Sequence, residues 1–281
     1  MSSTSTGTLY VVATPIGNLD DISPRACRVL GSVDLIAAED TRRTRGLLSK
    51  IGVNTPTISY HDHNEASRSP ALLKRLRGGE SVALVSDAGT PLLSDPGLPL
   101  VRAAHEAGVP VVSVPGPSAL AAALSVAGEP TDRFVFEGFL PRRAGPRRAR
   151  LKSLARETGT VALFESVHRI RETMAELRAQ FGSDRPASIL RELTKLHESV
   201  YRGTLGTLTE QLGGKIPLKG EFVLVIAGTG GKVRVEDEEI LRVFKLLAAE
   251  VSNTLAVTLT AKILGVSRNR VYGLTRVPPS S

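Results

Sequence analysis

Two loops of the sequence concentrate glycine, proline, carboxylate and hydroxyl side chains directly after short apolar runs. One loop reads SDAGTPLLSDPG over residues 86–97, and the other reads PGPSA over residues 115–119. Asp87 is placed to accept hydrogen bonds from an amine or a hydroxyl of a ligand, and Gly89 allows close approach of the backbone. Ser118 stands at a predicted helix start, whose N–H groups favour a carboxylate or a phosphate. The two loops predict a binding site for a ligand of metabolite size.

The elements around these loops alternate between strand and helix. The sequence predicts strands over residues 9–13, 33–38, 81–85 and 110–114, and helices over residues 23–31, 96–107 and 118–127. Asp95 is expected to cap the second of these helices, and Ser23 followed by Pro24 to begin the first. Such alternation is typical of a mostly parallel sheet, which binds ligands beyond the carboxyl ends of its strands. Neither loop has the GxGxxG or Walker A spacing, which argues against nicotinamide cofactors and nucleoside triphosphates.

A second α/β unit is predicted from Phe134 onward, because apolar runs and helical patterns alternate again up to about Gly228. Near the C-terminus, LTAKILGVSRNRVYGL has the spacing of two helices joined at Gly265, with Ser267 capping the second. This spacing suits a helix-turn-helix and equally a plain helical hairpin. The expected organisation is a disordered tail at 1–7, an N-terminal α/β domain at 8–128, a linker at 129–133, a C-terminal α/β domain at 134–230 and a helix-turn-helix-like tail at 231–281.

Composition limits the class of protein. A chain of 281 residues is long enough for two domains. Its single cysteine, Cys27, cannot form an intrachain disulfide, and no apolar stretch reaches the length of a membrane span, so we expect a cytoplasmic protein without membrane contact. Lys plus Arg number 36 against 28 Asp plus Glu, a net charge of +8. This excess favours polyanionic partners without identifying one.

Arginines cluster in three parts of the chain. AAEDTRRTR, residues 37–45, places three of them after a strand, which suits the phosphates of a single-stranded target, and a solvated helix start is an equal alternative. GFLPRRAGPRRAR, residues 138–150, is the most basic run, and we expect it to be mobile and to contact phosphate groups of a nucleic acid. The C-terminal tail adds Arg268, Arg270 and Arg276.

The run HDHNE, residues 61–65, places two histidines and two carboxylates side by side. Side chains at i and i+2 need further metal ligands from elsewhere in the chain, and no cysteine supports them. We therefore expect loop structure or substrate contact here, and no metal site.

Seven motifs, in the order in which they follow one another along the chain, resemble the tetrapyrrole methylase family. Within that family they resemble the branch that methylates RNA of the small ribosomal subunit. They are ATPIGNLDDIS, AAEDTRRTRGLL, HDHNE, SDAGTPLLSDPG, PGPSA, FESVHR and RELTK, between about Leu9 and Gly228, with Val167 standing where Pro or Thr is expected. The resemblance implies two α/β domains with S-adenosylmethionine in the cleft between them, usually as a homodimer. It also implies methyl transfer to the ribose 2′-oxygen of a cytidine in the decoding region of 16S ribosomal RNA. By motif, it assigns cofactor contacts to Pro15, Ile16, Asp87, Thr90, Ser118, Ala119 and Phe164.

A ribose hydroxyl is a poor nucleophile, so a base is expected to accelerate its methylation by about 10²- to 10⁴-fold. The candidates for this base are Glu165, Asp40 and His168, since Asp87 is expected to be occupied by the cofactor. The carboxylates have alternative structural roles, as helix caps or as partners of Arg42 or Arg169. The candidate RNA-binding residues are Arg42, Arg43, Arg45, Arg142, Arg143, Arg147, Arg148 and Arg169.

Two rival functions remain open at this point. One is a methyltransferase of the same family that acts on a small tetrapyrrole-like acceptor, with the same fold and cofactor. The other is a DNA-binding regulator that uses the C-terminal helices for binding and the α/β part as a sensor. The net charge, the arginine runs, the C-terminal helices and the order of the motifs favour RNA over the small acceptor. Specific duplex binding that persists after deletion of everything beyond Gly231 would count against the regulator.

Overall fold

The computed structural model describes residues 6–230 and 237–275. These residues divide into two compact units, one ending at Gly228 and the other beginning at Thr229. The first unit contains two five-stranded sheets with their helices. In the described part of the chain, no helix is long and apolar enough to cross a membrane.

The first sheet is parallel throughout, as the sequence predicted. Its strands are β1 (Leu9–Val12), β2 (Leu35–Ala38), β3 (Thr57–Ser59), β4 (Val82–Val85) and β5 (Val111–Val114), paired in the order β3-β2-β4-β1-β5. The helices that alternate with them are α1 (Pro24–Ser32), α2 (Thr41–Lys50), α3 (Glu65–Arg77), α4 (Leu98–Glu106) and α5 (Ala119–Ala127). Helices α3 and α4 pack on one face and α1 and α2 on the other, so β2 and β4 are buried along their whole length.

The second sheet is mixed. Its elements are β6 (Phe134–Phe139), α6 (Ala144–Leu154), β7 (Thr160–Ser166), α7 (Ile170–Phe181), β8 (Pro186–Arg191), β9 (Ser199–Thr204), α8 (Leu205–Gln211) and β10 (Glu221–Ile226). The strand order is β6-β7-β10-β8-β9, in which β6 and β7 run parallel and the other neighbours run antiparallel. Helices α6, α7 and α8 share one core with this sheet.

Helix α5 joins the two sheets, because it follows the last strand of the first and packs against the second. Ala123 and Ala127 lie in one apolar cluster with Leu190, Val223 and Val225. The segment after the helix is also attached to the second sheet. The hydroxyl of Ser188 donates to the carbonyl of Ala127 at 3.0 Å, and that of Thr160 donates to the carbonyl of Pro130 at 2.6 Å.

The described part of the second unit consists of α9 (Asp237–Ala248), α10 (Asn253–Leu264) and α11 (Arg268–Thr275), which share a small core. Gly265 ends α10 in the left-handed conformation, with φ of 63°. The hydroxyl of Ser267 accepts a hydrogen bond from the N–H of Arg270 at 3.3 Å. The predicted helix, glycine turn and Ser267-capped helix are confirmed, whereas Arg276 lies outside the described residues.

Two local predictions were wrong. The helix after Asp95 begins at Leu98 with Gly97 in the cap position, and Asp95 caps nothing because the chain continues for two residues in a loop before the helix starts. The run over residues 138–150 is not a mobile loop. It ends strand β6 and forms most of helix α6, because Arg147, Leu151 and Leu154 are buried on one side of that helix.

The N-terminal end of the described chain is held in place. Gly7 is buried, and its N–H donates to the carbonyl of Leu76 at 2.8 Å. Residues 1–5 of the expected tail lie outside the described residues. The division of the first unit into two domains at 129–133 stays a prediction.

Candidate active site

A cavity of about 440 Å³ lies where the carboxyl ends of the first sheet meet the second sheet. This volume is within the usual range for small-molecule sites. The loops after β1, β2, β4 and β5 form one wall, and side chains of β6, β7, β8 and β10 form the other. Of the residues that the resemblance assigned to the cofactor, the structure brings all except Pro15 to this cavity: Ile16, Asp87, Thr90, Ser118, Ala119 and Phe164.

Hydrogen bonds tie the loops of the first wall to one another. Thr14 and Gly89 exchange backbone hydrogen bonds of 2.9 and 3.0 Å. Gly89 has a φ of +86°, where a side chain is strained. The hydroxyl of Thr90 donates to the carbonyl of Pro117 at 3.1 Å, and that of Ser118 accepts from the N–H of Ala121 at 3.4 Å. Both hydroxyls therefore fix the shape of the wall.

Asp87 is held by the neighbouring strand. Its Oδ1 accepts from the N–H of Asp40 at 2.9 Å, and its own N–H donates to Oε2 of Glu39 at 3.1 Å. A guanidinium nitrogen of Arg43 lies 3.4 Å from Oδ2 of Asp87. Because β2 and β4 are adjacent parallel strands, their carboxyl ends bring these loops together.

Two further carboxylates that line the cavity have raised pKa values. Burial raises the pKa of Asp95 to about 6, and the charges of Glu39, Asp87 and Asp62 act in the same direction, whereas a hydrogen bond with the side chain of Ser86 opposes them. Burial also raises the pKa of Glu39. The sequence analysis missed both residues as site residues, although Glu39 directly follows one buried strand and Asp87 stands two residues after the next.

The three predicted bases lie in different surroundings. The carboxylate of Glu165 is buried and accepts from the N–H of Ser166 at 2.7 Å and the hydroxyl of Thr173 at 2.6 Å. Asp40 caps α2 and pairs with Arg42 at 2.7 Å, and hydrogen bonds from Arg42 hold the pKa of Asp40 well below its usual range. His168 is exposed on the loop between β7 and α7. Nε of Arg169 lies 3.8 Å from Oε1 of Glu165, so both Glu165 and Asp40 have the structural partners that the sequence offered as alternatives.

The predicted RNA-binding arginines differ in how far their side chains are exposed. Arg147 is 2% exposed and pairs with Glu176 at 2.6 Å and with Glu172, so its guanidinium is not accessible to RNA. Arg169 is half-buried and donates to the carbonyl of Leu140 at 3.0 Å. The exposed members are Arg42, Arg43, Arg45, Arg142, Arg143 and Arg148.

The HDHNE run forms a loop and the start of helix α3. The side chain of Asn64 accepts a hydrogen bond from the N–H of His61 at 2.9 Å and lies within 3.1 Å of Nε2 of the same histidine. Glu65 accepts a hydrogen bond from the N–H of Gly97 at 3.1 Å, which connects α3 to the loop before α4.

The remaining cavity residues that sequence reasoning missed come mainly from the second sheet. Leu190, Leu193, Val223 and Phe139 supply apolar surface there. Apolar residues on strands are ordinary core residues in a sequence. Only the packing of the second sheet over the loops of the first identifies them as lining.

Comparisons with known proteins agree with this architecture. The tetrapyrrole (corrin/porphyrin) methylase family matches residues 8–209. Uroporphyrin-III C-methyltransferase from Thermus thermophilus, complexed with S-adenosylhomocysteine, has a TM-score of 0.55 at 21% identity, covering 79% of this chain and 97% of that one. Cobalt precorrin-4 methyltransferase has a TM-score of 0.56 at 22% identity, covering 79% and 95%. At such identities the solved structures show the fold alone, and together with the family match they define a methyltransferase of the tetrapyrrole methylase class.

Closer relatives narrow the class. "Ribosomal RNA small subunit methyltransferase I" of Xylella fastidiosa (strain Temecula1) is 50% identical, over 95% of this chain and 98% of the relative. The protein of that name from Pseudomonas aeruginosa is 49% identical over 95% and 96%, and that from Escherichia coli O157:H7 is 45% identical over 95% and 94%. A family described as the RsmI C-terminal HTH domain matches residues 234–275. The chain belongs to the ribosomal RNA small subunit methyltransferase I branch of the tetrapyrrole methylase family.

Proposed function

We propose that this chain transfers a methyl group from S-adenosylmethionine to the ribose 2′-oxygen of a cytidine in the decoding region of 16S ribosomal RNA. The observation that carries the proposal is the similarity, at 50% identity over 95% of the chain, to a relative named for ribosomal RNA methylation. The gathering of the cofactor motifs around one cavity supports it.

The residues of the cavity fit S-adenosylmethionine. Ile16, Ala119, Leu190 and Val223 offer apolar surface to flat and aliphatic parts of the cofactor. The carboxylate of Asp87 suits hydroxyl and amino donors, and the acidic character of the loops suits a cation. When bound, the cofactor supplies an electrophilic methyl group on a positively charged sulfur. The chain has to position the acceptor and manage its proton.

We assign the acceptance of that proton to Asp95. Its side chain lines the cavity, and its pKa of about 6 makes it a stronger base than an ordinary carboxylate while leaving it ionised at neutral pH. Glu165 is a weaker candidate, because its carboxylate already accepts hydrogen bonds from Ser166 and Thr173. The low pKa of Asp40 disfavours that residue as a base.

The RNA is proposed to bind across the exposed arginines near the cavity. Arg43 lines the cavity itself, with a side chain that is 70% exposed. Arg142, Arg143 and Arg148 are exposed on and before helix α6. Guanidinium groups bind phosphates in a fork geometry, which positions RNA without reading its sequence. Arg268 on α11 is also exposed, which supports an RNA contact by the C-terminal helices.

The family resemblance supports proposals for the cellular location, the oligomeric state and the form of the substrate. We propose that the protein acts in the cytoplasm as a homodimer and that its substrate is the small ribosomal subunit. Light scattering of the purified protein tests the dimer. Methyl transfer to assembled subunits compared with naked 16S RNA tests the form of the substrate.

The decisive experiment uses 30S subunits from a strain that lacks the endogenous activity. The protein is incubated with these subunits and labelled S-adenosylmethionine, and the RNA is digested and analysed by nucleoside mass spectrometry. We expect label in 2′-O-methylcytidine, lost in Asp87→Ala and retained in the exposed control Asp132→Ala. Cofactor binding without transfer to subunits or free RNA would instead favour a small tetrapyrrole-like acceptor. Specific binding of duplex DNA by the full chain, without methyl transfer, would favour the regulator.

A further inference from the structure

We infer that Phe139 holds the base of the target nucleotide by stacking at the mouth of the cavity. This inference rests on the proposed function and assigns a residue that neither the motifs nor the family resemblance singled out. Phe139 lines the cavity and is 56% exposed, a large free area for a phenyl ring. Leu93, which is 37% exposed, is the large apolar side chain that the loop after β4 contributes to the same lining.

A β-bulge directs Phe139 toward the cavity. In a regular strand, residues three apart point to opposite faces, so Phe136 and Phe139 would be separated by the sheet. The register of β6 against β7 shifts between Phe136 and Gly138, which inserts one residue. As a result, the rings of both phenylalanines contact that of Phe164, with centroids 4.9 and 5.7 Å apart.

The bulge also packs closely against the loop after β4 on the opposite wall. Gly138 has a φ of +67°, and a β-carbon there would collide with the hydroxyl of Ser94. Ser94 itself has a φ of +71°, which is unusual for a residue with a side chain. The position of Phe139 is therefore determined by contacts on both sides of the cavity, although its ring is largely exposed.

The inner end of the cavity differs from this mouth. Ile16, Leu190 and Val223 are buried there in the cluster that includes α5. A ligand held at that end leaves the exposed ring of Phe139 available to a second molecule. Aromatic rings that project beside a reactive centre serve in nucleic-acid enzymes to stack on unpaired or extruded bases.

The positive charges around Phe139 favour a ligand that carries phosphate groups. Arg142 and Arg143 follow it in the chain and are exposed, and Arg43 lines the cavity from the first sheet. An aromatic ring among arginines that face solvent suits a single-stranded nucleotide. The base of the nucleotide can stack on the ring while its phosphates pair with the guanidinium groups. A neutral ligand would gain nothing from these charges.

The test compares Phe139→Ala with a matched control, Phe134→Ala, which removes a ring that is 44% exposed on the same strand. Binding is measured with 16S RNA in the presence of S-adenosylhomocysteine, using RNA with either cytosine or an abasic ribose at the target position. We expect Phe139→Ala to weaken binding of cytosine-containing RNA about tenfold, from the typical strength of base stacking. Phe139→Trp and Phe134→Ala should bind like the wild type, and wild type and Phe139→Ala should bind abasic RNA equally.

Separate outcomes overturn the inference and the proposed function. If Phe139→Ala weakens binding of S-adenosylhomocysteine measured by calorimetry, the ring belongs to the cofactor. If its defect persists with abasic RNA, or if its oligomeric state changes instead, the ring does not hold the base. Equal RNA binding by wild type and Phe139→Ala rejects the inference while wild-type methyl transfer upholds the function. A wild-type protein that neither binds nor methylates RNA rejects both.

Discussion

The backbone N–H of Asp40 donates a hydrogen bond of 2.9 Å to Oδ1 of Asp87. A second hydrogen bond runs in the opposite direction, from the N–H of Asp87 to the side chain of Glu39. The loops after β2 and β4 thus hold each other, and the Asp87 carboxylate is oriented before any ligand arrives. Such preorganisation lowers the conformational cost of binding.

Removal of the Asp87 carboxylate is expected to weaken cofactor binding. Asp87→Ala eliminates a charged acceptor and should raise the Kd for S-adenosylhomocysteine by about 10- to 100-fold, the usual effect of losing a hydrogen bond to a charged group. Asp87→Asn retains one oxygen and should lose less. Isothermal titration calorimetry measures both, with Asp132→Ala as the exposed control. Unchanged affinity in Asp87→Ala would remove this residue from the cofactor site.

Asp95→Asn is expected to stabilise the protein at high pH. The pKa of Asp95 in the folded chain is about 6, above the value of about 3.9 for an unfolded aspartate. A raised folded pKa means that stability is lost as the pH rises through this interval, since the native state then has to hold a partly buried charge. The gain in Tm over wild type should therefore be small near pH 4 and largest above pH 6. Thermal denaturation across this range measures it, and a gain in Tm that does not change with pH would contradict the prediction.

The same substitution tests the proton acceptor. Wild-type methyl transfer should rise with pH through about 6, as Asp95 ionises, and then level off. Asp95→Asn should lower kcat strongly and change the Kd for S-adenosylhomocysteine little. It should also abolish the rise of methyl transfer with pH. A variant that keeps the wild-type kcat and pH profile would show that another group accepts the proton.

Arg147 and Arg148 are adjacent in sequence and are expected to behave oppositely. Arg147→Ala leaves two glutamates without their partner and should reduce the free energy of unfolding by about 2–4 kcal/mol. Arg148 is exposed, so Arg148→Ala should leave stability unchanged and weaken RNA binding. Urea denaturation and filter binding distinguish the two effects. Equal stability of both variants would contradict the structural role of Arg147.

Gly97 and Gly46 provide a contrast in backbone requirements. Gly97 has a φ of +137°, and a β-carbon there would lie 2.7 Å from Cδ2 of Leu84, so Gly97→Ala should destabilise the fold by about 1–3 kcal/mol. Gly46 lies inside helix α2 with open space around it, so Gly46→Ala should stabilise by about 0.5–1 kcal/mol. Chemical denaturation of both variants gives the signs. Stabilisation by Gly97→Ala would mean that the conformation of Gly97 is not required.

The sequence predicted the parts of this site that depend on neighbours along the chain. Asp87 and Ser118 follow strands and stand in loops, and these local signals sufficed to place them at one edge of a parallel sheet. Asp95 was misjudged because an aspartate directly before a proline looks in sequence like an N-cap followed by the first helical residue. Here, Gly97 takes that position and the Asp95 side chain lines the cavity.

Contacts between distant segments were less accessible to sequence reasoning. The burial of Arg147 depends on two glutamates about one helix further along the chain, in α7. The position of Phe139 depends on a bulge that a period-two pattern does not reveal. Strand β9 has no continuous apolar run that would predict it, because its side chains are largely polar and lie at the edge of the sheet.

The attachment of residues 127–130 to the second sheet has a kinetic consequence. The hydrogen bonds from Ser188 and Thr160, together with the packing of α5, hold residues 127–130 against the second sheet. The connection between the two walls of the cavity is therefore anchored. Entry of the cofactor then requires no slow rearrangement of one sheet against the other. Its observed association rate should increase linearly with cofactor concentration, without the plateau that a preceding opening step imposes.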